Sequence, residues 1–469
     1  MTNRTILMCA SFLTLIAAGV GFAVRADVLG QWAQAFGFTQ TELGQITGMG
    51  LVGFGLVIVA GSFIAEKLGY KTVLVTAFLL HFISGLLLLA ATPAFEASGK
   101  DSVWWILWTS MLFFSVANGL CEAAINPLIA TLYSDEKTHY LNMLHAGWPG
   151  GLIIGAILAY CFVGENAWVI SLRWEIPMIL FMIPTLIYGI LILKEKFPVS
   201  EARAAGHTIG DMLKEFASPL LLFLLFLMGC VGYVELGTDS WIVDIMRNVI
   251  AKNAVLLFIY TSGIMFVLRF FAGPIVERIN PIGLLMVSSV LGFVGLMWLG
   301  SAATGLTVLA AATVYGVGKT FLWPTMLGVV GEKFPKGGAL TMGSVGAVGA
   351  LVAGLLGGPG IGYKQDYYAT QYLQTEAPEI YETVKAASPN RFLILPAING
   401  IDGRKAGKIA ATDERFDIIR TARLFGGRMA LRWTAVVPAV MAISFLLLVL
   451  YFRSKGGYTV DRIGRVEED

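Results

Sequence analysis

Long apolar runs divide the chain into twelve segments, each long enough to cross a bilayer. About 20 apolar residues in a helix cross roughly 30 Å of hydrocarbon. The runs lie near residues 5–30, 43–64, 72–91, 103–132, 141–163, 172–193, 217–241, 254–274, 282–302, 306–330, 338–361 and 432–452. We call them spans 1 to 12. The pattern predicts an all-α polytopic membrane protein with twelve transmembrane helices.

The first break in this pattern is the polar segment Lys194–Ala217, which carries charges of both signs. It is long enough to join two groups of six helices. We therefore expect two pseudo-symmetric bundles, an N-terminal one over residues 1–193 and a C-terminal one over 217–469. Residues 194–216 form the central cytoplasmic loop between them.

A second polar segment, residues 362–431, separates the last two spans. A loop of 70 residues without structure of its own would be unusual, so we expect a small folded cap or lid on the outer side. The sequence suggests a helix around Asp366–Ala386, a turn-rich centre and a charged stretch over Asp413–Arg423. The alternative is a tolerated surface insertion.

The basic residues of the short connections predict the orientation. With the N-terminus inside, 15 Lys and Arg lie on the cytoplasmic side and 4 lie in the short outer loops. Basic residues are enriched in cytoplasmic loops, so both termini are expected in the cytoplasm. We expect a multi-pass protein of the inner cell membrane.

Composition agrees with this class and excludes others. The chain is 57% hydrophobic and 14% charged, with mean hydropathy +0.74, whereas about a quarter of the residues in soluble domains are charged. A net charge of +2 offers no basic face for nucleic acid. The four cysteines lie in apolar stretches, and there is no phosphate-binding loop or zinc motif. We expect no enzyme activity, no cofactor and no metal.

The two halves align as a duplicated chain. Residues 117–132, ANGLCEAAINPLIATL, match residues 314–329, VYGVGKTFLWPTMLGV, with a shared proline at an offset of 197. This alignment places Glu122 opposite Lys319. A charge at the centre of a membrane helix costs at least ~2.5–3.5 kcal/mol and usually lines a polar pathway. Two charges at corresponding positions predict a central cavity between the halves of a transporter.

A second alignment pairs Ser62–Lys71, SFIAEKLGYK, with Gly273–Ile282, GPIVERINPI. It places two Glu-basic pairs at the cytoplasmic ends of spans 2 and 8, where they could hold the inner side closed. We expect Arg269 to pair with Glu277 there, with a role as an anion ligand as the alternative. The candidate gating residues are Glu66, Lys67, Arg269, Glu277 and Arg278.

The Ser62–Lys71 segment is similar to the G-x-L-x-D-R-x-G-R-K signature of the major facilitator superfamily. It differs in Ser62, Glu66 and Tyr70, which replace Gly, Asp and Arg. With twelve spans and a central polar loop, the chain is identified as a member of that superfamily. The resemblance implies a transporter that moves a small solute between two rocking halves.

Three shorter motifs resemble the fucose/hexose:proton symporters within the superfamily. They are EAAINP at 122–127, ADVL at 26–29, similar to the family's NDIL, and YVELGTDSW at 233–241, which resembles a sugar-carrier pattern in the seventh helix. In that family the first-helix Asp takes part in substrate handling and the fourth-helix Glu couples protons. The resemblance carries these roles to Asp27 and Glu122, and we expect both in proton coupling.

The candidate solute-binding residues are polar and aromatic residues of spans 1, 4, 5, 7 and 10: Asp27, Asn118, Glu122, Asn126, Trp148, Tyr233, Glu235, Lys319 and Trp323. Lys319 is expected either to pair with Glu122 or to anchor an anion. Arg25 is two residues from Asp27, so the two side chains cannot both face the cavity fully. His145 is either a member of a proton relay or a packing residue.

The leading hypothesis is a proton-coupled symporter for a neutral sugar that works by alternating access. The alternative is a carrier of an organic anion or sugar acid, with Lys319, Arg269 and Arg25 as carboxylate partners. A sensor or membrane enzyme built around the insert would need a nucleophile and a base, which the insert does not offer as a recognisable set. The expected partners are the solute, protons and the lipid bilayer, and we expect a monomer.

Overall fold

A computed structural model describes residues 3–36, 38, 43, 46–47, 50–163, 167–250, 254–302, 305–410 and 412–463. For residues 26, 27, 30, 33, 34, 243, 244, 247–250, 254, 255 and 404 it describes the backbone alone. Within these ranges the chain is helical, apart from loops and two isolated β-bridges in the insert.

The helices of the first half and of the loop after it follow the predicted spans closely. They are α1 (Arg4–Phe36), α2 (Leu51–Leu68), α3 (Tyr70–Ser98), α4 (Lys100–Leu132), α5 (Lys137–His145), α6 (Gly147–Phe162), α7 (Glu175–Ile179), α8 (Met182–Lys194), α9 (Glu201–Ala204) and α10 (Ile209–Lys214). Helices α5 and α6 form span 5, and α7 and α8 form span 6.

The second half contains α11 (Pro219–Gly232), α12 (Thr238–Ile250), α13 (Ala254–Arg269), α14 (Ala272–Leu299), α15 (Gly305–Thr320), α16 (Leu322–Lys333), α17 (Gly338–Val352), α18 (Gly358–Glu376), α19 (Pro378–Val384), α20 (Gly403–Gly407), α21 (Glu414–Thr434) and α22 (Val436–Ser454). Two π-helical turns, Tyr233–Gly237 and Ala353–Gly357, interrupt spans 7 and 11.

Eleven helical segments in the described ranges are long and apolar enough to cross a membrane. The shorter apolar helix Leu256–Arg269 lies where span 8 was predicted. The structure therefore confirms an all-α protein with twelve membrane helices in two pseudo-symmetric bundles. The domain boundaries at residues 193 and 217 stay a prediction.

Breaks in the helices set the direction of the central side chains. Span 10 breaks at Phe321, three residues before Pro324, because a proline ring clashes with the preceding helical turn. Span 4 continues through Pro127 as one helix. The two fourth-position spans, similar in sequence, therefore differ in shape at their centres.

Close packing within the first half fixes span 1 against span 5. At Gly151 an added Cβ would lie 2.4 Å from the carbonyl oxygen of Ile16, so only glycine allows this approach. Between the halves, span 2 packs on span 11 and span 5 packs on span 8. The central cavity lies between these two contacts.

The two ends of the molecule differ. We call the end that carries residues 195–218 the linker face, and the opposite end, which carries residues 377–413, the insert face. Spans 11 and 12 continue beyond the bilayer on the insert face as the paired helices α18 and α21. The predicted helix at Asp366–Ala386 is two helices, which break at Ala377 before Pro378.

Candidate functional site: a central polar cavity

A cavity of about 180 Å³ lies between the two halves. It can hold a small solute, since about 10–15 Å³ of such volume already holds one water molecule. The wall is formed by spans 1, 2, 4 and 5 of the first half and by spans 7, 8 and 10 of the second. Its polar and aromatic residues include Phe22, Arg25, Asn118, Glu122, His145, Trp148, Glu235, Ser240, Arg269 and Trp323.

Glu122 is the carboxyl group of the first half in this wall. It is buried, with 8% of its surface exposed, and its Oε2 accepts a hydrogen bond of 2.6 Å from Nδ2 of Asn126. Asn126 lies behind it, outside the wall, and its Oδ1 is 2.9 Å from Nε2 of His145. Among the described side chains none forms an ion pair with Glu122. This carboxyl group is therefore buried and forms no ion pair with a described side chain.

The second half contributes a buried ion pair to the wall. Nη2 of Arg269 lies 3.1 Å from Oε1 of Glu235, and both side chains are almost fully buried. Oε2 of Glu235 is buried without a hydrogen-bond partner in the described chain. A buried acceptor of this kind is costly unless solute, water or a proton satisfies it.

Arg269 also joins the two halves. Its Nη1 donates to the carbonyl oxygen of His145 at 2.6 Å, and its Nε donates to that of Thr320 at 2.8 Å. The expected pair with Glu277 does not form, because span 8 ends at Arg269 and the next helix carries Glu277 to the exposed linker face. The predicted partner of Arg269 was therefore wrong. Arg269 pairs with Glu235 and lies in the cavity wall.

Lys319 does not reach Glu122. Its Nζ lies 2.5 and 2.7 Å from the two carboxylate oxygens of Asp239, and the lysine side chain is 1% exposed. Both residues line a separate small pocket rather than the central cavity. A buried cation next to a carboxylate on a neighbouring helix of the same half is stabilised there, so the pair across the halves does not form.

The remaining predicted binding residues are distributed as follows. Asn118, Trp148 and Trp323 line the cavity, and Asn118 also contacts Nε2 of His81 at 2.9 Å. Tyr233 lies outside the wall, where its hydroxyl accepts a hydrogen bond from Nζ of Lys364. The side chain of Asp27 lies outside the described part of the chain.

Arg25 lines the cavity, although it was not among the predicted binding residues of the sugar hypothesis. Its guanidinium lies 5.3 Å from the ring centre of Phe22, and it has no ion pair with a described side chain. The sequence signal was present, because an Arg inside an apolar span is rare. The sequence analysis favoured Asp27, two residues further on, because Asp27 matched a family motif.

The linker face is closed by contacts between the halves. Oε1 of Glu66 accepts a hydrogen bond of 2.6 Å from the backbone N–H of Ala339, at the start of span 11, and Oε2 accepts one from Ser200 in the linker. Gly338, beside it, has φ +52°, which favours glycine. Glu66 thus joins the first half, the linker and the second half.

A second contact on this face was not predicted from the sequence. Oε1 of Glu332 accepts from the N–H and hydroxyl of Thr138, and Oε2 accepts from the hydroxyl of Tyr458. Lys137 adds bonds to Glu201 and to the carbonyl oxygen of Gly331. Of the predicted gate residues, Lys67, Glu277 and Arg278 are exposed.

Between described residues, no hydrogen bond or ion pair joins the halves on the insert face. Two similar bundles around a polar cavity, sealed at one end, define a solute transporter of the alternating-access type. The sequence profile of the Major Facilitator Superfamily matches residues 6–358, and the chain belongs to this family. It is accordingly a multi-pass membrane transporter rather than an enzyme.

Individual similarities are more distant. The chain is 22% identical over 249 residues to the class E tetracycline resistance protein of Escherichia coli, and the match spans only 56% of that relative. Among solved structures, the E. coli fucose:proton symporter matches with TM-score 0.63 and 16% identity, covering 94% of this chain and 97% of the symporter. A proton:xylose symporter matches with TM-score 0.69 and 12% identity, covering 95% and 96%. At these identities the structural matches show the shared fold alone.

Proposed function

We propose that this protein is a secondary active transporter that moves a sugar together with protons through the central cavity. The observation that carries the proposal is the state of Glu122. A coupling group has to gain and lose a proton at the solute site, and a fixed counter-ion would oppose protonation. Glu122 has an amide neighbour in Asn126 and no ion-pair partner in the described chain. The amide can donate to either form of the carboxyl group.

The rest of the wall supports a solute that carries both hydroxyl groups and apolar faces. Trp148, Trp323 and Phe22 offer aromatic surfaces, which suit the apolar face of a sugar ring. Asn118 and Ser240 offer hydrogen-bonding groups on opposite halves. A solute held between both halves would be released when one half rocks against the other.

The two ends of the cavity support alternating access. The linker-face contacts of Glu66 and Glu332 would have to break for solute to leave on that side. We place the linker face in the cytoplasm, with both termini there, because the basic residues of short connections are concentrated at that end. We propose that the inward proton gradient of an inner membrane drives transport into the cell.

The test is transport by purified protein in proteoliposomes. Glu122→Gln mimics a permanently protonated carboxyl group, so we expect exchange of labelled solute to continue while proton-driven accumulation is lost. Glu277→Gln is the matched control, because Glu277 is an exposed carboxyl group far from the cavity wall. Normal accumulation by Glu122→Gln would remove Glu122 from the coupling role.

A second candidate function is the transport of a sugar acid or other organic anion. The observation that favours it is Arg25, a cation in the wall without an ion pair in the described chain. A charge-assisted contact is worth roughly 1.5–3 kcal/mol, or about 10–150-fold in affinity. The other two expected carboxylate partners, Lys319 and Arg269, already form ion pairs with Asp239 and Glu235.

Arg25→Gln separates the two functions. If the solute is an anion, uptake of labelled sugar acids should fall by that factor, and uptake of neutral sugars should not appear in its place. If the solute is a neutral sugar, the variant should retain sugar uptake within a few-fold. Uptake of both solute classes, measured with and without a pH gradient, gives the comparison.

A further inference from the structure

The insert stands clear of the bilayer on two long helices. Span 11 and its extension form one helical segment, Pro335–Glu376, and span 12 with its extension forms Glu414–Ser454. A helix crosses about 30 Å in 20 residues, so a segment that enters at Gly338 leaves near Gly357. The remaining residues carry Glu376 about 28 Å beyond that boundary, at a rise of about 1.5 Å per residue. We call this extension the stalk.

A hairpin of the insert folds back along the stalk. Asn390 and Ile398 exchange two backbone hydrogen bonds of 2.6 and 2.8 Å, and the N–H of Ala386 donates to the carbonyl oxygen of Gly400. The loop between them is held against the base of the stalk, where the hydroxyl of Tyr363 donates to the carbonyl oxygen of Pro396 at 2.7 Å. The hairpin therefore returns to the level of the bilayer boundary.

The ring of Phe392 fixes this level. It packs directly over Gly360, where an added Cβ would lie 3.1 Å from the ring. Gly360 lies one turn beyond the expected boundary at Gly357. The loop residues that follow Phe392 are thus placed within a few ångströms of the lipid headgroups.

Three apolar side chains project from the loop. Leu393, Ile394 and Leu395, which we call the tip, are 65%, 91% and 38% exposed. Leu393 has φ +51°, a left-handed conformation that leucine rarely adopts. The loop is nevertheless ordered by a bond from Nε of Arg391 to the carbonyl oxygen of Leu395. Three successive exposed apolar side chains, held in a strained loop, mark a site that binds another surface.

The position of the tip identifies that surface. The hairpin packs on α18 at Gly360 and Tyr363, and the hydroxyl of Tyr233 of span 7 also lies beside Gly360. The described cavity wall contains no residue of span 11 or of the insert. The tip therefore lies outside the described cavity wall, at the level of the expected bilayer boundary.

We infer that the tip inserts into the headgroup region of the bilayer and anchors the insert to the membrane surface. Three adjacent apolar side chains at the boundary gain by leaving water, as the apolar face of an interfacial helix does. The stalk then has two attachments to the membrane, its own helices and the tip. This inference is independent of the transported solute.

The test is a spin label at Ile394→Cys, in a variant whose four native cysteines are replaced by serine, reconstituted in phosphatidylethanolamine/phosphatidylglycerol vesicles. We expect the label to be accessible to oxygen and protected from a water-soluble nickel complex, with a depth of about 5–10 Å below the headgroups. The matched control is a label at Thr383→Cys. Thr383 is exposed in α19, beyond the far end of the stalk, and this label should be fully accessible to nickel.

Nickel accessibility at Ile394 equal to that at Thr383 would overturn the inference. Protection from both reagents would also overturn it, because it would mean that protein covers the tip. Leu393→Asp in the labelled variant gives a second reading. Leu393 is exposed, so the substitution should leave folding in detergent unchanged and should raise nickel accessibility at Ile394 in vesicles.

Discussion

The two fourth-position spans carry charges at corresponding places but use them differently. Glu122 of span 4 faces the central cavity with an amide as its partner in the described chain. Lys319 of span 10, at an offset of 197, turns to Asp239 within its own half and is 1% exposed. Duplication thus preserved the position of a charge and changed its neighbours. The first half keeps a buried carboxyl group without an ion pair among the described side chains, and the second half holds its central charges in pairs.

The same contrast appears at the linker face. Glu66 and Glu277 align in the sequence, yet Glu66 is buried between the halves and Glu277 is exposed. Asp135 and Glu332 also differ by 197 positions. Glu332 binds both Thr138 and Tyr458, whereas Asp135 is exposed and contacts Arg462. Equivalent positions in a duplicated chain therefore predict where a charge lies better than what it binds.

The largest effect is expected from breaking the ion pair between Lys319 of span 10 and Asp239 of span 7. Lys319→Gln leaves the Asp239 carboxylate largely buried and unpaired, at a cost of about 3–5 kcal/mol in the free energy of unfolding. Asp239→Asn in the same protein should restore most of that loss. Chemical unfolding in detergent, measured for both single variants and the double variant, gives the coupling energy. Restoration by Glu122→Gln instead would mean that Lys319 serves the cavity.

A smaller effect is expected from the aligned carboxyl groups of the linker face. Glu66→Ala leaves the N–H of Ala339 and the hydroxyl of Ser200 without their acceptor, so the closed face should lose about 1–3 kcal/mol. Labelling of a cysteine placed in the linker-side vestibule should rise. Glu277→Ala is the control and should leave labelling unchanged. Equal effects of the two variants would contradict the contrast between the halves.

Glu122→Gln should change stability little, in contrast to Lys319→Gln. The glutamine keeps an acceptor for Nδ2 of Asn126, and no ion pair with a described side chain is lost. We expect a change below about 1.5 kcal/mol in the free energy of unfolding. A loss as large as that of Lys319→Gln would indicate that Glu122 has a structural counter-ion.

The smallest effect concerns the insert, which interrupts the second half alone. Asp413 caps the first turn of α21, and its contact with Arg415 lowers the pKa of this carboxyl group to about 2. The stabilising contribution is therefore present above the unfolded pKa of about 3.9 and is lost as pH falls through about 2. The protection of the first-turn amides of α21 against exchange, relative to their intrinsic rates at each pH, should fall over that range. Asp413→Asn should abolish this pH dependence while retaining the cap.

Hydrophobic length was sufficient to predict the membrane helices from the sequence. It failed where helices leave the bilayer: spans 11 and 12 were expected to end at 361 and to begin at 432, whereas their helices run to Glu376 and from Glu414. The residues of the stalk are helical but polar, so a search for apolar runs does not find them. Length also located span 8, although its apolar helix, Leu256–Arg269, is shorter than the eleven other membrane-spanning segments described.

The partners of the buried charges could not be predicted from the sequence. Sequence symmetry suggested Glu122 as the partner of Lys319, whereas the structure pairs Lys319 with Asp239. The break at Phe321 and the π-helical turn Tyr233–Gly237 set the direction of these side chains, and neither follows from residue spacing. Arg269 was misplaced for a similar reason, because the end of span 8 decides whether its side chain faces the cavity or the linker face.

The stalk offers an external pointer to events inside the bilayer. The stalk continues the helices of spans 11 and 12 without a loop. Any tilt of the second half is therefore transmitted to residues 377–413 at its far end. A tilt of about 10° would move the far end of the stalk, about 28 Å above the boundary, by about 5 Å. One fluorophore on residues 377–413 and another on the first half would report the distance change of the transport cycle without a label in the cavity.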